Sequence, residues 1–197
     1  MNPRLIAAAL AAALSLASAV QASTFTIAGG DPFLLDASFG ANPGTPDIAP
    51  GAAVTRNGAL SLAGKGRVTF SYFGTEAGFT NQFWVDGTQR FDNTAASNDA
   101  FTLKLGAGVL PFAFHTIDPA GAAANGASSD FYKSIALFQK SPTTVFALFN
   151  DAATSDTDYD DMVVRMDVAP VPLPAAAWLL MAGLGGLGAV ARRRKAA

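Results

Sequence analysis

Cysteine is absent from the chain, and histidine and glutamate occur once each, as His115 and Glu76. Without thiols there are no disulfides, so stability has to come from packing or from bound ions. One histidine and no cysteine argue against a transition-metal site. No Gly-x-Ser-x-Gly elbow nominates a serine nucleophile for His115 to activate. His115 ends an apolar stretch, Leu110–His115, where a structural role is the plain reading. Between the two ends of the chain no stretch has a helical hydrophobic period.

What is present divides sharply by position. All 15 acidic residues fall between Ser23 and Val168, against eight of the 13 basic ones, which leaves this region near −7. That balance argues against nucleic acid and anionic lipid as partners. Fourteen of the acids are aspartate, a turn former and a frequent calcium ligand in loops.

The N-terminus reads as a signal peptide over residues 1–22. Arg4 supplies the positive start, Leu5 to Leu16 the apolar stretch, and Val20-Gln21-Ala22 a small-x-small site with the cut after Ala22, Ala19 being the second choice. The C-terminus, 169–197, has three parts in order: a Pro-rich motif at Val171, Pro172, Leu173 and Pro174, an uncharged segment over 175–191, and Arg192, Arg193, Arg194 and Lys195. As a helix, the 17 uncharged residues reach about 25 Å, close to a hydrocarbon core of about 30 Å. Trp178 suits the headgroup level, and the four cations form a membrane stop that stays in the cytoplasm.

Residues 23–168 are left as one domain, long enough for a sizeable core. Short alternating segments recur along it. Ser23–Ala28, Ala59–Leu62, Arg67–Tyr72, Phe79–Val85, Phe101–Leu105, Leu110–His115, Phe131–Gln139, Thr143–Phe149 and Met162–Val168 read as strands, with a short one at Phe33–Leu35. Asp86-Gly87 reads as a hairpin turn. Gly29–Gly51 otherwise reads as a long loop, and so does Ala120–Ser129. Eight to ten strands without helices predict an all-β domain, a β-sandwich or jelly roll, between the signal peptide and the apolar tail. Fifteen phenylalanines suit a core between two sheets. Tyr72, Phe83, Trp84 and Phe91 can stack on sugar rings where exposed; the alternative is that they are core.

The densest polar cluster is Asn150–Asp161. Asp156, Asp158 and Asp160 alternate, with Asp161 next to them and Asp151 upstream. The start resembles a calcium loop, and Asp167 stands twelfth from Asp156. Asp161 in place of the glycine at position six, and the strand that follows, argue against an EF-hand. A different oxygen-rich calcium site using Asp151, Asp156, Asp158, Asp160 and Asp161 is one reading. An acidic solvated turn is the other.

The tail, Val171-Pro-Leu-Pro-Ala-Ala-Ala-Trp-Leu-Leu followed by a Gly/Leu-rich span and the Arg cluster, resembles the PEP-CTERM sorting signal of Gram-negative bacteria. That resemblance implies processing by an exosortase, a membrane-embedded transpeptidase-like enzyme of bacteria that make exopolysaccharide. It also implies a cut near Pro172–Pro174. The family motif is Pro-Glu-Pro; Pro172-Leu173-Pro174 looks like a recurring variant. Separately, Ala147-Leu-Phe-Asn-Asp151 with Asp158-Tyr-Asp-Asp-Met-Val-Val164 resembles the end of a domain of bacterial surface proteins often found before such tails.

Together these features predict an exported, non-enzymatic surface or matrix protein. Its partners would be the exosortase, the membrane through its tail, and polysaccharide. A calcium-dependent carbohydrate-binding module is the alternative. A small secreted hydrolase using Glu76 or His115 is a third reading.

Overall fold

The computed structural model describes residues 23–39, 47–117, 120–127, 133–151, 158–169, 183 and 184. Ser23–Pro170 is one compact unit. Of the remaining residues only Gly183 and Leu184 are described, and they are helical. No helix among the described residues is long and apolar enough to cross a membrane. The expected signal peptide with Ala22, the sorting motif Val171–Pro174 and the basic cluster Arg192–Lys195 lie outside the described residues, as does the expected 175–191 span apart from Gly183 and Leu184.

Fourteen strands form in the described residues. In chain order they are β1 (Phe25–Ala28), β2 (Asp31–Leu34), β3 (Ala53–Arg56), β4 (Ala59–Leu62), β5 (Gly66–Gly74), β6 (Asn81–Val85), β7 (Thr88–Asp92), β8 (Ala100–Leu105), β9 (Gly108–Val109), β10 (Phe112–Thr116), β11 (Gly121–Ala124), β12 (Ser134–Ser141), β13 (Thr144–Asn150) and β14 (Met162–Val168). They make a seven-stranded sheet, β2-β3-β12-β13-β14-β5-β8, a four-stranded sheet, β11-β10-β6-β7, and a three-stranded sheet, β1-β4-β9. The all-β, sandwich-like arrangement agrees with the alternating sequence pattern. The strand count exceeds the expected eight to ten, because β3, β7, β9 and β11 lie in stretches with little alternation.

The seven-stranded sheet buries both faces at its centre. Along β13, Val145, Ala147 and Phe149 enter one core while Phe146 and Leu148 enter another. This is why Thr144–Asn150 is apolar at successive positions and not only at alternate ones. The larger core fills the space between this sheet and the two smaller ones. Aromatic pairs cross that space: Phe114 stacks on Phe149 at 5.0 Å, and Phe70 meets Phe83 at 5.8 Å. The second core lies on the opposite face, where Leu35, Phe39, Ile48 and Val54 pack with Tyr159 over Phe146, Leu148 and Val163. The stretch expected to be a long loop therefore supplies a lid of apolar side chains.

Asp86-Gly87 closes a two-residue hairpin between β6 and β7, with Val85 paired to Thr88. Both turn residues have positive φ, 52° and 68°, as a type I′ turn requires. Pro111 precedes β10, so it does not interrupt a strand that pairs on both sides, with β6 and β11.

Candidate functional site

Three neighbouring strands of the large sheet bring the acidic residues to one end of the sandwich. Phe149 of β13 pairs with Met162 of β14, and Val163 of β14 pairs with Gly74 of β5. The residues just beyond these pairs are Asp151, Asp158–Asp161 and Thr75–Glu76. In-register antiparallel pairing thus forces segments about 80 residues apart in sequence into one cluster.

Each acid has a distinct position. Asp161 accepts the Asp151 amide through Oδ2 at 2.7 Å, which closes the loop between β13 and β14. Its carbonyl accepts the Thr75 hydroxyl and, at 3.4 Å, the Asn81 amide nitrogen. That same nitrogen donates to Asp151 Oδ2. Asp151 and Asp161 are therefore engaged in holding three segments together. The Glu76 amide donates to the Asp160 carbonyl at 3.2 Å. Carboxylate oxygens of Glu76, Asp158 and Asp160 all lie within 4.8 Å of one another. Asp158 and Asp160 are 7% and 1% exposed, whereas Glu76 is exposed.

Tyr159 explains how two flanking acids gather on one side. Its backbone is left-handed, with φ of 63°, and its side chain is wholly buried. The ring packs 5.5 Å from Phe33, and the hydroxyl lies 2.7 Å from that of Ser134. Burial raises the phenol's pKa above its ordinary value, with the Ser134 contact opposing the shift. A non-glycine residue in this conformation costs about 1 kcal/mol or more, which the packing of the ring has to offset.

Of the five aspartates expected to gather, Asp156 lies outside the described residues. Asp158 and Asp160 come together with Glu76, while Asp151 and Asp161 fasten the loop. Asp167 is at the far end of β14, bonded to Thr144 Oγ1 and to Arg165. The EF-hand spacing accordingly has no counterpart in space. Glu76 and Asn81 did not emerge as members of this cluster from sequence; nothing in local spacing links them to residue 158.

A second feature lies on the outer face of the four-stranded sheet. Tyr72, Phe83 and Phe91 are core residues, but Trp84 is half-buried and faces outward. Its ring centroid is 5.1 Å from that of His115 on β10, and its Nε1 donates to Gln82 Oε1 at 3.0 Å. The two rings border a shallow depression of about 560 Å³ with Val109, Pro111 and Ala124. His115 is thus an aromatic neighbour of Trp84 on the outer face, paired with Gln82 next to the buried Asn81.

The comparisons with known proteins address delivery more than chemistry. The PEP-CTERM protein-sorting motif matches residues 170–195. The tail is a protein-sorting motif, and the chain is an exported, exosortase-sorted protein that reaches the cell surface by way of the membrane. This match lies entirely beyond the strands. No curated protein matches the chain. Among solved structures, a Chromobacterium violaceum lectin in complex with alpha-methyl-fucoside is 17% identical. The likeness covers 55% of this chain and 91% of that one, with a TM-score of 0.30.

Proposed function

We propose that the 23–168 domain is a non-enzymatic structural or adhesive component of the extracellular matrix of a Gram-negative bacterium. The observation that carries this reading is the sorting motif at 170–195, which directs whatever precedes it to the surface. Export begins with removal of residues 1–22 after Ala22. Exosortase processing near Pro172–Pro174 then releases the domain from the apolar tail, and Arg192–Lys195 holds the intermediate in the inner membrane until that cut. The acidic, tightly packed sandwich suits long residence outside the cell without disulfides. The Asp158-Tyr-Asp-Asp161 ending supports kinship with surface-protein domains that precede such tails.

A carbohydrate-binding role is the second reading, and Trp84 favours it. An outward indole beside His115 and Gln82 offers a ring face with polar edges, the pairing that sugar rings use. Mass spectrometry of the native surface protein tests the sorting half of the proposal. A C-terminus near Pro172 is expected. An intact Ala197 on the mature surface form would overturn it.

A further inference from the structure

We infer that the depression beside Trp84 and His115 binds an uncharged pyranose through its C–H face, without a bridging metal ion. The inference rests on the carbohydrate-binding reading and adds to it the class of sugar and the means of holding it.

Strand register builds the platform. Trp84 of β6, Ala113 of β10 and Ala124 of β11 form one row across the four-stranded sheet, and Gln82, His115 and Ala122 form the next. Residues paired in register share a face, so all six project outward. The alanines stand no higher than a methyl group, and the space beside the two rings is left open. That space is the depression of about 560 Å³, within the range of about 300–1,000 Å³ that small-ligand sites occupy. Val109, 58% exposed, gives it an apolar rim.

The hydrogen-bonding inventory narrows the occupant. The indole Nε1 already donates to Gln82 Oε1, so Trp84 presents only its ring. Asn125, at the edge of the depression, is bonded through both amide atoms to the backbone of Leu60 and Leu110. What is left over is the imidazole of His115 and the Nε2 of Gln82, which make no hydrogen bond among the described residues. A neutral imidazole offers one donor and one acceptor, and the amide nitrogen two donors. A sugar hydroxyl both donates and accepts, so hydroxyls along a pyranose edge match these groups while the C–H face covers the indole. A purely hydrocarbon ligand would leave the same polar groups without partners.

Charge decides between sugars. No aspartate, glutamate, lysine or arginine lines the depression. Asp92, beside Gln82 on β7, turns its carboxylate to Thr94 and Gln89. A uronate or a phosphate would lose water here with no cation to receive it, in a domain near −7. Nor is there a carboxylate to hold calcium between the protein and the sugar hydroxyls.

The test applies the purified full-length chain to immobilised dextran, mannan and galactan, which are neutral, and to alginate, a uronate polymer, each in calcium and in chelator. Retention on at least one neutral polymer, equal in both buffers, is expected, with none on alginate. Trp84→Ala should lower retention at least about tenfold through lost stacking, and His115→Phe, which keeps a ring beside the indole but no nitrogen, by a similar factor. Should Trp84→Ala melt early, His115→Phe still decides. Retention on alginate in place of the neutral polymers, or retention that chelation abolishes, overturns the inference and leaves the carbohydrate-binding reading standing. Retention on none of the polymers removes both. Unchanged retention in the two variants overturns the assignment of the sugar to this depression.

Discussion

The hydroxyl of Tyr159 lies 2.7 Å from that of Ser134, and neither residue is accessible to solvent. Ser134 opens β12, and Tyr159 sits between the two aspartates of the acidic cluster. This buried bond, with Arg56 of β3 as a further partner of the same hydroxyl, helps pin the acidic loop to the sheet from its inner side.

Tyr159→Phe should leave the ring packed but strand the Ser134 hydroxyl. A loss of about 1–2 kcal/mol in urea unfolding is expected, as for other buried hydroxyl pairs. Tyr159→Ala removes the ring as well and should cost about 3–5 kcal/mol, the range for deleting a buried aromatic side chain. Equal stability of Tyr159→Phe and the wild type would show that the bond contributes nothing net.

Tyr72 gives the domain an alkaline limit. Burial, assisted by the charge of Asp92, pushes its phenol up to about 12 from the ordinary 10.0. The folded state therefore binds this proton more tightly than the unfolded chain. The resulting stabilisation is complete below about pH 10 and lost as pH rises through about 12. At most about 2–3 kcal/mol is at stake. Unfolding curves between pH 9 and 12 should be steeper for the wild type than for Tyr72→Phe, which has no proton to lose. Parallel pH dependence of the two proteins would refute this assignment.

Trp84 separates the adhesive reading from the carbohydrate-binding one. Retention on immobilised exopolysaccharide should fall at least tenfold in Trp84→Ala if the indole stacks on sugars, a loss in keeping with about 1.4 kcal/mol or more of contact. The melting temperature should change little, because the ring is only half-buried. Equal retention of wild type and variant would leave the structural role standing alone.

The fold was legible wherever alternation writes it into the chain. Met162–Val168 coincides with β14, and Arg67–Tyr72 falls inside β5. β11 was hidden because Gly121-Ala-Ala-Ala124 has neither β-branched residues nor alternation; only Ala123 reaches the core. β7 carries a single buried side chain, Phe91, among polar neighbours. The acidic loop itself was visible as a run of aspartates. Its partners were not, because Glu76 and Asn81 reach it only through the register of β13, β14 and β5. The role of Tyr159 was equally silent, since a tyrosine between aspartates reads as polar loop until the second core is seen. The tail needed no folding to be recognised, because sorting signals are read as linear sequence.

The seven-stranded sheet is open, with β2 at one rim and β8 at the other. Pro32 sits within β2, opposite Thr55 of β3, and carries no amide hydrogen. That rim therefore lacks a donor where an incoming strand would need one. For a protein delivered to a crowded surface this is a constraint on how copies associate. Growth by strand addition along β2 is blocked at its middle, which guards this rim and leaves that of β8 as the other edge. Replacing one proline could turn a guarded margin into a template for uncontrolled fibre growth.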